Sequence, residues 1–234
     1  MKSLPTEREL IRAIDQTNLK PETSEEEMRK FLEEAKNYGF IGAAILPRWV
    51  PLAAKILKGS DTRIVATVGF PLGTYPTELK VKEAEWIVEN GLPDTEIDMV
   101  MNVALLKNGK YDLVREDISA VVKAAKGKTV KVIIEVPYLT KEEIAIACLL
   151  AESAGAHYVK TSTGFKGFRG WRPTTPDDVR YIKTIVGDRM KIKAAGGIST
   201  VGQALAILEA GADRIGTSSG VKIIEEFRNL AKAR

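Results

Sequence analysis

"TKEEIAIACLLAESAGAHYVKTS", residues 140–162, joins two periodicities at a glycine. Up to Gly155 the apolar residues recur at helical spacing, with Thr140 as an N-cap, acidic residues in the first turn and Gly155 as the stop. "AHYVKTS" (156–162) then reads as a buried strand. The same unit recurs along the chain. "TSEEEMRKFLEEAKNYG" (23–39) has Thr23 or Ser24 as N-cap and Gly39 as stop; "TELKVKEAEWIVENG" (77–91) stops at Gly91 and "TVGQALAILEAGA" (200–212) at Gly211. Strands are predicted at 11–15, 41–46, 63–70, 95–102, 129–136, 156–162, 191–197 and 212–218. Eight units in this length come to about 29 residues each, the size of a strand–helix repeat.

The strands are apolar almost throughout, as in a parallel sheet covered on both faces. The fold expected is therefore α/β, a single (β/α)₈ barrel over residues 1–234 with eight parallel strands and surrounding helices. A doubly wound open sheet is the alternative. It usually has fewer strands, and no G-x-G-x-x-G follows the first strand here.

Lys and Arg number 35 against 31 Asp and Glu, a net charge of +4 spread along the chain, so no basic array points to nucleic acid. No apolar run spans a membrane, and "MKSLPTEREL" lacks a signal core, which predicts a cytoplasmic protein. Cys148 is the only cysteine and falls in a helical pattern, as a core thiol would. With one cysteine and one histidine, His157 at a strand start, no metal site is expected. Trp49, Trp86 and Trp171 read as helix-packing or interface residues.

In a (β/α)₈ barrel the chemistry gathers at the C-terminal ends of the strands. Lys160 stands late in the sixth strand and Lys193 in the seventh. Burial and a like charge both lower a lysine pKa, and a neutral amine can attack a carbonyl to form a Schiff base. A lysine there can equally snorkel to the rim or pair with Asp98; strand position alone leaves the readings level, and the second lysine tips them toward chemistry. Asp98 interrupts an apolar strand, where it balances the lysines, relays protons, or both. Asp15 ends the first predicted strand and suits a turn or cap in "IDQTNLKPE" as well as a site. "AAGGI" (Ala194–Ile198) and "GTSSG" (Gly216–Gly220) follow the seventh and eighth strands, where barrels bind phosphate on backbone N–H groups. "FKGFRGWRP" (165–173) crowds cationic and aromatic residues into one loop, either to cover or charge the site or as a solvated loop or subunit contact.

"VKTSTGF", "KAAGGI", "EIDMVMN", "KVIIE", "RIGTSSG" and "LPRWVP" together resemble the deoxyribose-phosphate aldolase family, in order and spacing, over nearly the whole chain. The resemblance implies a class I aldolase that needs no cofactor or metal and cleaves 2-deoxy-D-ribose 5-phosphate reversibly to acetaldehyde and D-glyceraldehyde 3-phosphate. It implies Lys160 as the Schiff-base lysine, Lys193 as the lysine that perturbs its pKa and Asp98 as the proton relay, with Asp15 near the site. It assigns phosphate to Gly196, Gly197, Gly216, Ser218 and Ser219, and places Thr163 and Gly164 in the substrate loop. The partners expected are sugar phosphates and aldehydes, with no nucleic acid or membrane, in a homodimer or homotetramer. Two departures stand out. Ala44 replaces a cysteine of many members, while Phe165 and the ending "EEFRNLAKAR" replace a lysine and a terminal tyrosine of some. Lys166 or Arg169 is available to restore the lost cation. Two rivals are a different Schiff-base aldolase and a non-catalytic barrel that binds a sugar phosphate.

Overall fold

The computed structural model describes residues 4–167 and 170–232. Its strands are β1 (Ile14–Asn18), β2 (Gly42–Ile45), β3 (Arg63–Val68), β4 (Glu96–Val100), β5 (Val130–Ile133), β6 (Tyr158–Lys160), β7 (Lys191–Ala195) and β8 (Arg214–Thr217). Each pairs in parallel with the next, and β8 pairs with β1 to close the barrel, as expected.

The helices form for the reasons their sequences suggest. In Glu25–Tyr38 the Ser24 hydroxyl accepts the Glu27 N–H while the Glu27 carboxylate accepts the Ser24 N–H, satisfying two donors that a helix start leaves open. Met28, Leu32 and Ala35 share one face and are buried. Fully burying a side chain such as Leu32 is worth about 1.5–3 kcal/mol. Gly39, at φ 73°, then turns the chain toward β2 in a conformation that strains any residue with a Cβ. Lys141–Ser153 repeats the design, with Thr140 and Glu143 reciprocally bonded. Its Cys148 is buried, and burial pushes the thiol up to about 12, as suits a packing residue.

The start of the chain departs from expectation. Thr6 and Glu9 form another capping box and set Glu7–Ile11 as a helix, with Leu10 in the core. The first strand therefore begins at Ile14, not at 11. Asp15 is consequently the second residue of β1, deep in the barrel, rather than its last. Trp49 packs against the core, and Trp86 is 39% exposed on the helix Thr77–Asn90. No helix among the described residues is long and apolar enough to cross a membrane.

Candidate active site

Strand register brings the singled-out charges together. Lys160 sits beside Lys193 across β6 and β7, and Asp98 beside Lys131 across β4 and β5. Inside the barrel they join a closed ring of alternating charge. From Asp98 Oδ1 the path runs 3.0 Å to Lys131 Nζ, then 2.6 Å to Glu96 Oε2. Arg214 Nη2 lies 2.8 Å from Glu96 Oε1, and its Nη1 donates to Asp15 Oδ1. Lys193 Nζ lies 2.5 Å from Asp15 Oδ2, an ion pair without hydrogen-bond alignment, and donates to Asp98 Oδ2 at 2.8 Å. That closes a loop of three cations and three carboxylates.

Lys160 is the seventh member. Its Nζ donates to the same Asp98 Oδ2 at 2.7 Å, and it alone of the seven lines the open cavity. All seven are buried. Arg63, half exposed, ties Glu96 to the solvent at 2.7 Å.

The electrostatics follow from this wiring. Burial of Lys160, with the charges of Lys193 and Lys131, outweighs the pull of Asp98 and lowers its pKa to about 8. Burial works against ionising Asp98, yet Lys131, Lys160 and Lys193 hold its carboxyl well below the usual range. Asp15 is held low in the same way against its burial, by Arg214 and Lys193 first. The site thus offers one amine close to its titration point beside a carboxylate that stays ionised. Asp15 is not a turn residue: its carboxylate serves Lys193 and Arg214.

Above Lys160 opens a cavity of about 730 Å³. Every residue assigned to phosphate or substrate lines it: Thr163, Gly164, Gly196, Gly197, Gly216, Ser218 and Ser219. Trp171 lines it too, correcting its reading as a helix-packing or interface residue. Lys166 is on the same wall, while Arg169 lies outside the described residues. His157 accepts the Val130 N–H at 3.1 Å through Nδ1, a structural contact. Among the described residues no group of three His, Cys, Asp or Glu side chains gathers as a metal site.

Sequence reading missed four residues. Lys131, Glu96 and Arg214 were legible only as charges inside apolar strands, Glu96 two residues before Asp98 and thus on the same face. Glu135 follows β5 at φ 58°, in the left-handed region, and is buried. Its carboxylate accepts from Ser162 Oγ at 2.6 Å and from the Thr163 N–H, fixing the turn after Lys160.

Relatives agree with this geometry. Residues 9–226 match the family described as DeoC/LacD family aldolase. A deoxyribose-phosphate aldolase of Thermococcus gammatolerans is 51% identical over 225 residues, covering 94% of this chain and 97% of its own. One from Thermotoga maritima is 49% identical over 213 residues, covering 91% of this chain and 84% of its own. Among solved structures, a deoxyribose phosphate aldolase from Aeropyrum pernix, described as a unique tetramer, superposes with a TM-score of 0.88 at 34% identity. That match covers 96% of this chain and 93% of the other. A closed parallel barrel with buried lysines, matched along nearly its whole length by aldolases at half identity, places this chain in the DeoC/LacD family of aldolases.

Proposed function

We propose that the chain is a class I deoxyribose-phosphate aldolase, cleaving 2-deoxy-D-ribose 5-phosphate reversibly to acetaldehyde and D-glyceraldehyde 3-phosphate. The observation that carries this reading is a buried amine with a pKa of about 8, Lys160, on the floor of a large open cavity. At pH 7 about one such amine in ten is neutral, against roughly one in 2,500 for an ordinary lysine.

Neutral Lys160 attacks the substrate aldehyde and forms a carbinolamine. A proton delivered from the Asp98–Lys193 pair leaves with the hydroxyl as water, giving an iminium. The C2–C3 bond then breaks, its electrons moving into the iminium to form an enamine while the C3 hydroxyl returns a proton, through water, to the Asp98–Lys193 pair. Glyceraldehyde 3-phosphate departs; protonation of the enamine carbon and hydrolysis release acetaldehyde and free Lys160. Lys193 keeps its neighbour's pKa low without bonding to substrate carbon, and Asp15 holds Lys193 in place. Gly196, Gly197, Gly216, Ser218 and Ser219 cradle the phosphate where the helix Gly220–Lys232 begins, and Thr163 and Gly164 wall the sugar.

The chain works in the cytoplasm as a homodimer or homotetramer. The exposed Leu79 and Trp86, seven residues apart on one helix, offer an apolar contact face. Borohydride added with substrate, in EDTA, tests the chemistry: the adduct is expected on a peptide containing Lys160. Full activity in Lys160→Leu rules the mechanism out.

A further inference from the structure

One motif is not absorbed by the chemistry above: the loop after β6, with Phe165, Lys166 and Trp171. Where a lysine at position 165 would put a cation beside the cavity, this chain has an aromatic ring. Among the described residues, the charged side chains lining the cavity are Lys160 on the floor, Lys20, Lys166 and Glu34. Lys160 is engaged by Asp98, and Glu34 accepts from Gln16. Lys166 Nζ stands over the face of Trp171, 5.3 Å from the ring centroid. That contact restrains an otherwise mobile ammonium, because the ring face is negative.

Trp171 also abuts the glycine turn: a Cβ on Gly197 would lie 2.5 Å from Pro173 Cβ and 3.7 Å from the Trp171 ring. A restrained cation thus stands beside the glycine turn on one cavity wall.

We propose that Lys166 and Trp171 form the element by which this chain selects a phosphorylated substrate, Lys166 supplying the charge and Trp171 seating it beside the glycine turn. The proposal rests on the aldolase reading for its substrate, but not for its anion. Two measurements separate them. In the first, inorganic phosphate is titrated calorimetrically into the wild type, Lys166→Gln and Trp171→Leu. Binding is expected to weaken about tenfold in Lys166→Gln, as for loss of a charge-assisted bond, and several-fold in Trp171→Leu, which removes the ring face that holds the ammonium. Unchanged phosphate binding in Lys166→Gln overturns the proposal, whatever the enzyme does. In the second, kcat/KM is compared for 2-deoxyribose 5-phosphate and 2-deoxyribose. Their ratio should fall about tenfold in Lys166→Gln with the rate on the unphosphorylated sugar unaltered, since a lost phosphate contact touches only the first. Equal losses on both sugars overturn it. Weakened phosphate binding in a protein that cleaves neither sugar sinks the aldolase reading and leaves the anion site standing.

Discussion

Replacing Lys160 with methionine should abolish activity and make the protein more stable. Four buried cations, Lys131, Lys160, Lys193 and Arg214, face three buried carboxylates, Asp15, Glu96 and Asp98. The ring is balanced without Lys160, so its proton is the excess charge. Its pKa falls from an ordinary lysine value to about 8. With an unfolded value near 10.4, that drop means about 3 kcal/mol of destabilisation when the amine is protonated in both states. Lys160 is 3% exposed, so solvent does little to screen it. The sign follows from proton counting. Below pH 8 both states hold the proton and the full cost is present. Between about 8 and 10.4 the unfolded chain binds more protons, so wild-type stability rises with pH and the cost disappears. Lys160→Met, which keeps the apolar stem, should therefore gain about 3 kcal/mol at pH 6, roughly 6–12 °C in Tm for a chain this size. The gain should shrink toward zero by about pH 10. Urea unfolding of both proteins at pH 6, 8 and 10 reads it directly. A variant no more stable than wild type at pH 6, or a gain that ignores pH, would refute the reasoning.

Three other changes probe the same interior. Lys193→Met removes a like charge beside Lys160 and frees Asp98 to hold its proton; the acidic limb of kcat/KM should move above pH 8 and the rate at pH 7 fall roughly a hundredfold, and an unmoved limb would remove the role given to Lys193. Lys131→Met strips a partner from both Glu96 and Asp98 and should cost about 3–5 kcal/mol in denaturant unfolding, a loss below about 1 kcal/mol counting against the ring as a coupled unit. Gly42→Ala would set a Cβ 2.8 Å from Val65 Cγ2 and against Asp15 Oδ1, so both stability, by about 1–3 kcal/mol, and activity should drop; a neutral result would show that Asp15 can move freely.

How much of this was visible beforehand depends on the range of the interactions. Helix stops such as Gly39 and Gly155, and apolar strands such as that predicted at 41–46, are local signals, and they sufficed for the barrel. Lys160, Lys193 and Asp98 were legible because each interrupts an apolar strand and also stands at a motif position to which the family resemblance gives a role; Lys131, Glu96 and Arg214 interrupt theirs without such a role. The first strand was misplaced since "IRAID" carries apolar residues that serve a strand or a short helix alike. The capping pair Thr6 and Glu9 settles that choice. With the strand misplaced, Asp15 could not be assigned. Its partner Arg214 is 199 residues away in sequence, and both it and Lys193 become neighbours of Asp15 only when β8 meets β1. The position of Trp171 was hidden for a related reason. A loop's side chains take their surroundings from turns of other strands, here the one at Gly197.

The ring of charges also bears on how the cylinder shuts. Arg214 on β8 and Asp15 on β1 meet across the seam that closes the barrel, and Lys193 crosses from β7 to β1 beside them. Sliding any of these strands by one residue would turn its charge outward and strand its partner in an apolar wall. An all-hydrocarbon interior would tolerate several such misalignments at similar energy. The alternating ions act as a key that only one alignment turns, so the groups that hold the amine at the mouth also tell the first and last strands where to meet.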